Sequence, residues 1–130
     1  MSLNDPLSNV LSQISAYEKI GRKEIVTQSN SKIIKKMLSI MQDNKFIGSF
    51  EEIKDSKGNF LRINLIGNIN KTGVVKPRFS VKKDNFEKFE KRFLPARDFG
   101  ILVISTPQGV MTHNEAKKKG LGGRLIGYCY

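Results

Sequence analysis

Two adjacent hydroxyl side chains at the mouth of an apolar run are the residues best placed to do chemistry in this chain. Gly100-Ile101-Leu102-Val103-Ile104 ends at Ser105-Thr106-Pro107-Gln108-Gly109, and Val110-Met111 and Thr112-His113-Asn114-Glu115-Ala116 follow. A continuous apolar run bounded by glycine and proline reads as a strand buried on both faces, here over 99–105. Thr112 and Glu115 have capping-box spacing, which predicts a short helix over 112–119. A rigid strand would then deliver two hydroxyls and bare backbone N–H groups to the surface beside a helix start. Such groups bind phosphodiester oxygens well. A functionless turn also explains the glycine and the proline. It explains less well why Ser105 and Thr106 stand together in the more basic half.

Other chemistries find less support. His113 is the only histidine and lies 16 residues from Cys129, the only cysteine. Cys129 sits in an apolar closing segment, where cysteine behaves as a small hydrophobe, and a Cys–His nucleophile pair would need an accessible thiolate. With no cysteine–histidine cluster, neither a metal nor any other cofactor is expected. Gly120-x-Gly122-Gly123 resembles a phosphate loop only loosely, because such loops stand between a strand and a helix. These glycines stand between a helix and a strand, which suits a helix stop and a tight turn. Phe86, Phe89 and Phe93 could offer a base-stacking platform, but at their helical spacing they read as a core stripe. The intervening Glu87, Lys88, Glu90, Lys91 and Arg92 suit a solvated face. Lys76, Arg78, Lys82 and Lys83 flank a proline-bearing strand whose edge would let them reach phosphates, although solubility alone would also account for them.

The charge balance says what such a surface would meet. Lysine and arginine number 23 against 12 acids, a net +11. Residues 1–66 carry 10 basic and 7 acidic side chains, and residues 67–130 carry 13 and 5. A basic half on a small domain is the electrostatic footprint of a polyanion binder. The 130 residues can bury roughly two thirds of their unfolded surface without staples. A lone cysteine fits a reducing compartment. Asp5 and Pro6 stand where a secretory signal would need basic and then apolar residues, and no run approaches the roughly 20 apolar residues of a membrane span. A soluble, intracellular protein is expected.

The elements that must position these residues follow in order. Asp5 before Pro6 predicts a helix start. Leu7, Val10, Leu11, Ile14 and Tyr17 recur at helical spacing, and Gly21 supplies the stop. Glu24–Thr27 reads as a short strand. Ser29, Asn30 or Ser31 caps a second helix with an Ile34, Met37, Leu38 and Met41 stripe, closed by Asp43-Asn44, with Lys32, Lys35 and Lys36 off the stripe. Phe46–Lys54 and Phe60–Ile66, joined by a glycine-bearing loop, form a hairpin. The fold class is α+β in two small lobes: two helices and three strands over 1–66, a short polar connector over 67–73, and a mostly β lobe with short helices over 74–130. In that second lobe Val74–Val81 reads as one strand with a proline. Asp84 caps the phenylalanine-bearing helix, Pro95 stops it, and 124–130 is the last strand.

Taken in order, these segments resemble the small-subunit ribosomal protein eight family, and more closely its archaeal and eukaryotic branch. The tags are Asp5-Pro6-Leu7, Met41-Gln42-Asp43-Asn44, Lys76-Pro77-Arg78-Phe79, Leu94-Pro95-Ala96-Arg97-Asp98-Phe99-Gly100, Ser105-Thr106-x-x-Gly109, and Glu115-Ala116 with Gly120-Leu121-Gly122-Gly123. Together they cover nearly the whole chain. The resemblance implies a ribosomal component of the cytoplasm, monomeric when free, with neighbouring small-subunit proteins as partners. It implies primary binding to the central domain of small-subunit ribosomal RNA, around a distorted stem, in support of assembly. Recognition then maps onto Ser105, Thr106, Gln108 and Gly109. Lys32, Lys76, Arg78, Arg97, Glu115, Lys117 and Lys118 complete the contact set, with Lys119 beside them. The family usually has a further Ser or Thr where this chain has Pro107, which removes a hydroxyl and a backbone donor. Asn114 replaces a commonly acidic residue. Repression of a messenger RNA that mimics the ribosomal stem is an alternative within binding. An RNA-modifying enzyme is the alternative from another class, and it would require a cofactor pocket or an acid–base pair.

Overall fold

The computed structural model describes residues 6–28, 31–55, 58–76, 78–96 and 99–130. The proposed caps Asp5, Ser29 and Asn30, the strand proline Pro77 and the contact candidate Arg97 lie outside the described residues. The chain divides into two compact units, Met1–Thr72 and Gly73–Tyr130, and the elements make an α+β fold with antiparallel sheets.

In the first unit, α1 (Pro6–Lys19) buries Leu7, Val10, Leu11 and Ile14, the three-and-four spacing that places them on one face. It ends at Gly21, φ 77°, where the Arg22 N–H donates to the Tyr17 carbonyl and the Gly21 N–H to that of Glu18. After β1 (Glu24–Thr27), α2 (Lys32–Asp43) is capped by Ser31, whose Oγ accepts from the Ile34 N–H at 3.4 Å. Its buried stripe is Ile34, Met37, Leu38 and Met41. β2 (Ile47–Asp55) and β3 (Gly58–Leu65) form a hairpin, and the sheet runs β1-β3-β2. Along β3, Leu61, Ile63 and Leu65 are buried while Arg62 and Asn64 are exposed, the two-residue alternation of a half-buried strand. Arg62 reaches Glu24 and Glu51 on the flanking strands, each at 3.1 Å. Exposed pairs of this kind contribute only about 0.2–1 kcal/mol. Each fully buried aliphatic side chain contributes about 1.5–3 kcal/mol, so the helix stripes dominate.

β4 (Thr72–Val74) begins at the last residue of the first unit, and the second unit contains β5 (Ser80–Val81), α3 (Phe86–Phe93), β6 (Ile101–Thr106), β7 (Gly109–Thr112), α4 (His113–Lys119) and β8 (Gly123–Cys129). The sheet order is β4-β8-β6-β7, with β5 also pairing β8. The single strand expected over 74–81 is instead two short ones, β4 and β5. A segment that includes a proline lacks one ladder donor and does not hold a continuous pairing. Phe86 and Phe89 are buried with Leu94, Leu102, Ile104 and Leu125 in one core, and Phe93 packs half-buried against it. The phenylalanine stripe is therefore core and not a stacking platform. Asn85, not Asp84, is the N-cap of α3, and its side chain makes no capping bond.

Candidate nucleic-acid interface

β6 lies between β8 and β7, and the β6–β7 hairpin closes over Pro107 and Gln108, with Thr106 paired to Gly109. Strand alternation then separates the two hydroxyls. Leu102, Ile104 and Thr106 face the core, and Ser105 faces the other way and is exposed. Thr106 is only 8% exposed; its Oγ1 donates to the Gly109 carbonyl at 2.7 Å and accepts from the Gln108 N–H at 3.2 Å. The expectation of two surface hydroxyls is corrected to one, because the neighbouring residue of a strand must point to the opposite face. Ser105 makes no side-chain hydrogen bond among the described residues.

Pro107 suits this turn. Lys45 is the one described non-glycine residue with positive φ, so Pro107 and Gln108 both have negative φ. Two-residue hairpin turns ordinarily use positive φ to match strand twist, and Gly109 at φ 122° absorbs the mismatch. Proline pre-sets the first turn position, where an N–H makes no turn hydrogen bond.

The register brings a cation to Ser105. Arg124 of β8 pairs with Ser105 of β6 on one side and Ser80 of β5 on the other, and all three are exposed. Residues directly opposite in antiparallel strands share a face, with Cβ atoms about 4.5–5.5 Å apart. The Arg124 guanidinium makes no ion pair among the described residues. A rigid fork of donors between two hydroxyls suits a phosphate oxygen cluster. Sequence reading missed Arg124 because a single cation after a glycine pair gives no local signal. The glycines explain its placement. A Cβ on Gly123 would run into the Ser105 carbonyl, and one on Gly122 would lie 2.5 Å from the Val81 carbonyl oxygen. Only bare backbone lets β8 close onto β5 and β6. Gly120, at φ 67°, ends α4. The glycine cluster is thus a helix stop and a close approach, not a phosphate loop.

The start of α4 is as expected, with Thr112 Oγ1 accepting from the Glu115 N–H at 3.2 Å. The helix also carries two members of a part-buried network that sequence reading did not find. Glu90, expected on the solvated face of α3, is buried, because its carboxylate meets two partners from α4. Lys117 Nζ lies 2.6 Å from one oxygen and His113 Nε2 lies 3.2 Å from the other. His113 Nδ1 accepts from the Leu102 N–H at 3.1 Å. Accepting at Nδ1 requires the neutral ring, with Nε2–H donating to Glu90. Burial holds the His113 pKa below its ordinary value, and the Lys117 charge adds to that, against the opposing pull of Glu90. Both ring nitrogens are committed, so the only histidine has no free nitrogen for proton transfer. Beside the network a cavity of about 440 Å³ is lined by Lys83, Lys91 and Lys117 and by Asp84, Glu87 and Glu90. Three lysines thus face three carboxylates across its lining.

A model of the family described as ribosomal protein S8 matches residues 5–130. The chain belongs to the ribosomal protein S8 family. It is accordingly a small-subunit ribosomal protein, of a structural rather than enzymatic family in which binding to ribosomal RNA is typical. Association with that RNA and with other ribosomal proteins is implied. Among the described residues no helix is long and apolar enough to cross a membrane.

In this S8-family chain the remaining contact candidates are scattered more widely than the hairpin. Gln108 is exposed at the hairpin tip beside half-buried Gly109, and Lys76 and Arg78 are exposed between β4 and β5. Lys118 is exposed on α4 without a partner among the described residues. Lys117 is committed to Glu90, and Glu115 lies 3.9 Å from Lys119 in an exposed i,i+4 pair. Lys32 is exposed at the start of α2 in the first unit.

Proposed function

We propose that the protein is a primary binder of small-subunit ribosomal RNA that grips the backbone of a central-domain stem and supports subunit assembly on cytoplasmic ribosomes. The observation that carries this reading is the exposed Ser80–Arg124–Ser105 row, in the half of the chain with 13 basic and 5 acidic side chains. Irregular stems present phosphates and unpaired bases in fixed positions, and a donor row on a rigid sheet matches fixed positions better than flexible lysines do. Ser105, Gln108 and the backbone at Gly109 supply recognition at the hairpin. Thr106 acts through the turn it holds, as a positioning residue. Lys76, Arg78, Lys118 and Lys32 supply long-range, salt-dependent attraction, and Arg97, Glu115 and Lys117 complete the proposed contact set.

The test is binding to a transcript of the central domain, measured against salt, beside a plain duplex of equal length. Charge-assisted hydrogen bonds are worth about 1.5–3 kcal/mol, so Arg124→Gln is expected to weaken the cognate complex at least about tenfold. Ser105→Ala weakens it less and leaves the plain duplex unaffected. Replacing Lys76 and Arg78 by alanine together flattens the log–log salt slope by about one to two. Equal binding to cognate and plain RNA by the wild type, or no effect of Arg124→Gln, would overturn the reading.

A further inference from the structure

Three helices of this chain end in the same pair of backbone hydrogen bonds around one left-handed residue. At the end of α1 that residue is Gly21, φ 77°, and at the end of α4 it is Gly120, φ 67°. At the end of α2 it is Lys45, φ 64°: the Phe46 N–H donates to the Met41 carbonyl at 2.8 Å and the Lys45 N–H to that of Gln42 at 3.0 Å. The motif is the ordinary glycine-terminated helix end, and a Cβ at this φ collides with its own backbone where glycine has nothing to collide. Lysine is therefore the strained choice at a position that the same chain twice fills with glycine.

The surroundings hold the strained residue in place. The Asn44 side chain donates to the Ile40 carbonyl at 2.8 Å, and Asn68 Nδ2 donates to the Lys45 carbonyl at 2.8 Å. Strain that is clamped from several sides is characteristic of functional positions. The Lys45 side chain is exposed and forms no ion pair among the described residues, whereas nearby in the same unit Lys35 pairs with Glu52 and Arg62 with two glutamates. What lysine adds over glycine here is thus an uncommitted cation on a rigid corner.

We propose that Lys45 is a phosphate-contact residue of the first unit, kept in a conformation that glycine would adopt more cheaply because its ammonium binds the RNA backbone. The proposal rests on the reading of the protein as an RNA binder. It adds a contact point outside the Ser80–Arg124–Ser105 row.

Lys45→Gly and Lys45→Asn both relieve the left-handed strain and remove the charge, while Lys45→Arg keeps both. Melting temperature and binding to the central-domain transcript across a salt series are measured for each. Lys45→Gly and Lys45→Asn are expected to raise Tm by about 2–4 °C. They weaken RNA binding by about threefold to tenfold, and each lowers the salt slope by about one. Lys45→Arg matches the wild type in both. A higher Tm with unchanged affinity and slope would overturn the proposal, and so would no change in Tm, since no strain would then be stored. If the wild type and Arg124→Gln behave as expected while the Lys45 variants bind normally, only this proposal fails. If the wild type does not prefer the transcript, both readings fail.

Discussion

Thr106→Val removes one hydroxyl and nearly preserves shape, and the geometry makes it a stability variant first. The Oγ1 atom donates to the Gly109 carbonyl at 2.7 Å and accepts from the Gln108 N–H at 3.2 Å, in a residue only 8% exposed. Each such hydrogen bond contributes about 0.5–1.5 kcal/mol net, and valine can replace neither, so the loss is about 2 kcal/mol. Unfolding entropy is about 2.1 cal/mol/K per residue, which for 130 residues converts that loss to about 7 °C in Tm. The shift is larger if the second unit unfolds alone, because a smaller cooperative unit has less unfolding entropy. The assay pairs a melting curve with binding to the central-domain transcript at a temperature where the variant is folded. Ser105→Ala is the control: its exposed hydroxyl has no partner among the described residues, so Tm is expected to move by less than about 1 °C while affinity falls. A Thr106→Val protein with unchanged Tm and tenfold weaker binding would refute the reasoning, because the hydroxyl would then have been available to RNA.

Two further outcomes follow from the same unit. Because burial lowers the His113 pKa in the folded state, the unfolded chain binds a proton that the folded chain refuses below its ordinary value near 6.5. Stability is therefore lost as pH falls from about 6.5 toward the folded pKa, by up to about 1.4 kcal/mol per pH unit. The groups facing the ring are Glu90 and Lys117. Urea midpoints at pH 7.5 and 5.5 should differ more for the wild type than for His113→Gln, and equal differences would discount the buried neutral ring. Gly123→Ala places a methyl group against the Ser105 carbonyl, a backbone atom that cannot swing aside. It should cost several kcal/mol, about the range of core overpacking, and lower cognate RNA binding even where folded. A normal melting curve for this variant would mean that β8 does not approach β6 so closely.

Much of the architecture was legible because its signals act over a few residues. The apolar spacing of α1 and α2, a cap of α2 within residues 29–31, the glycine stops at Gly21 and Gly120 and the Thr112 cap each depend on neighbours within one helical turn. β1 needed only Glu24–Thr27 and its flanks. Core and stacking readings of the phenylalanine stripe divided correctly on the same periodicity. The tags of the ribosomal family were readable for a different reason, since short segments in a fixed order need no geometry at all.

What only the tertiary structure decided are matters of register and burial, set by partners far along the chain. Composition put hydroxyls and cations in the same half, but which of Ser105 and Thr106 faces outward depends on where the strand parity begins, and one residue reverses the answer. Arg124 joins Ser80 and Ser105 only because Gly122 and Gly123 let β8 close onto two strands whose serines lie 44 and 19 residues earlier. Glu90 reads as solvated on helical periodicity alone, and it is buried because α4 brings His113 and Lys117 to it. Lys45 shows the same division within one residue. Its charge was evident in the sequence, while the left-handed backbone that gives that charge its meaning comes from the helix end and from Asn68, a residue 23 positions away.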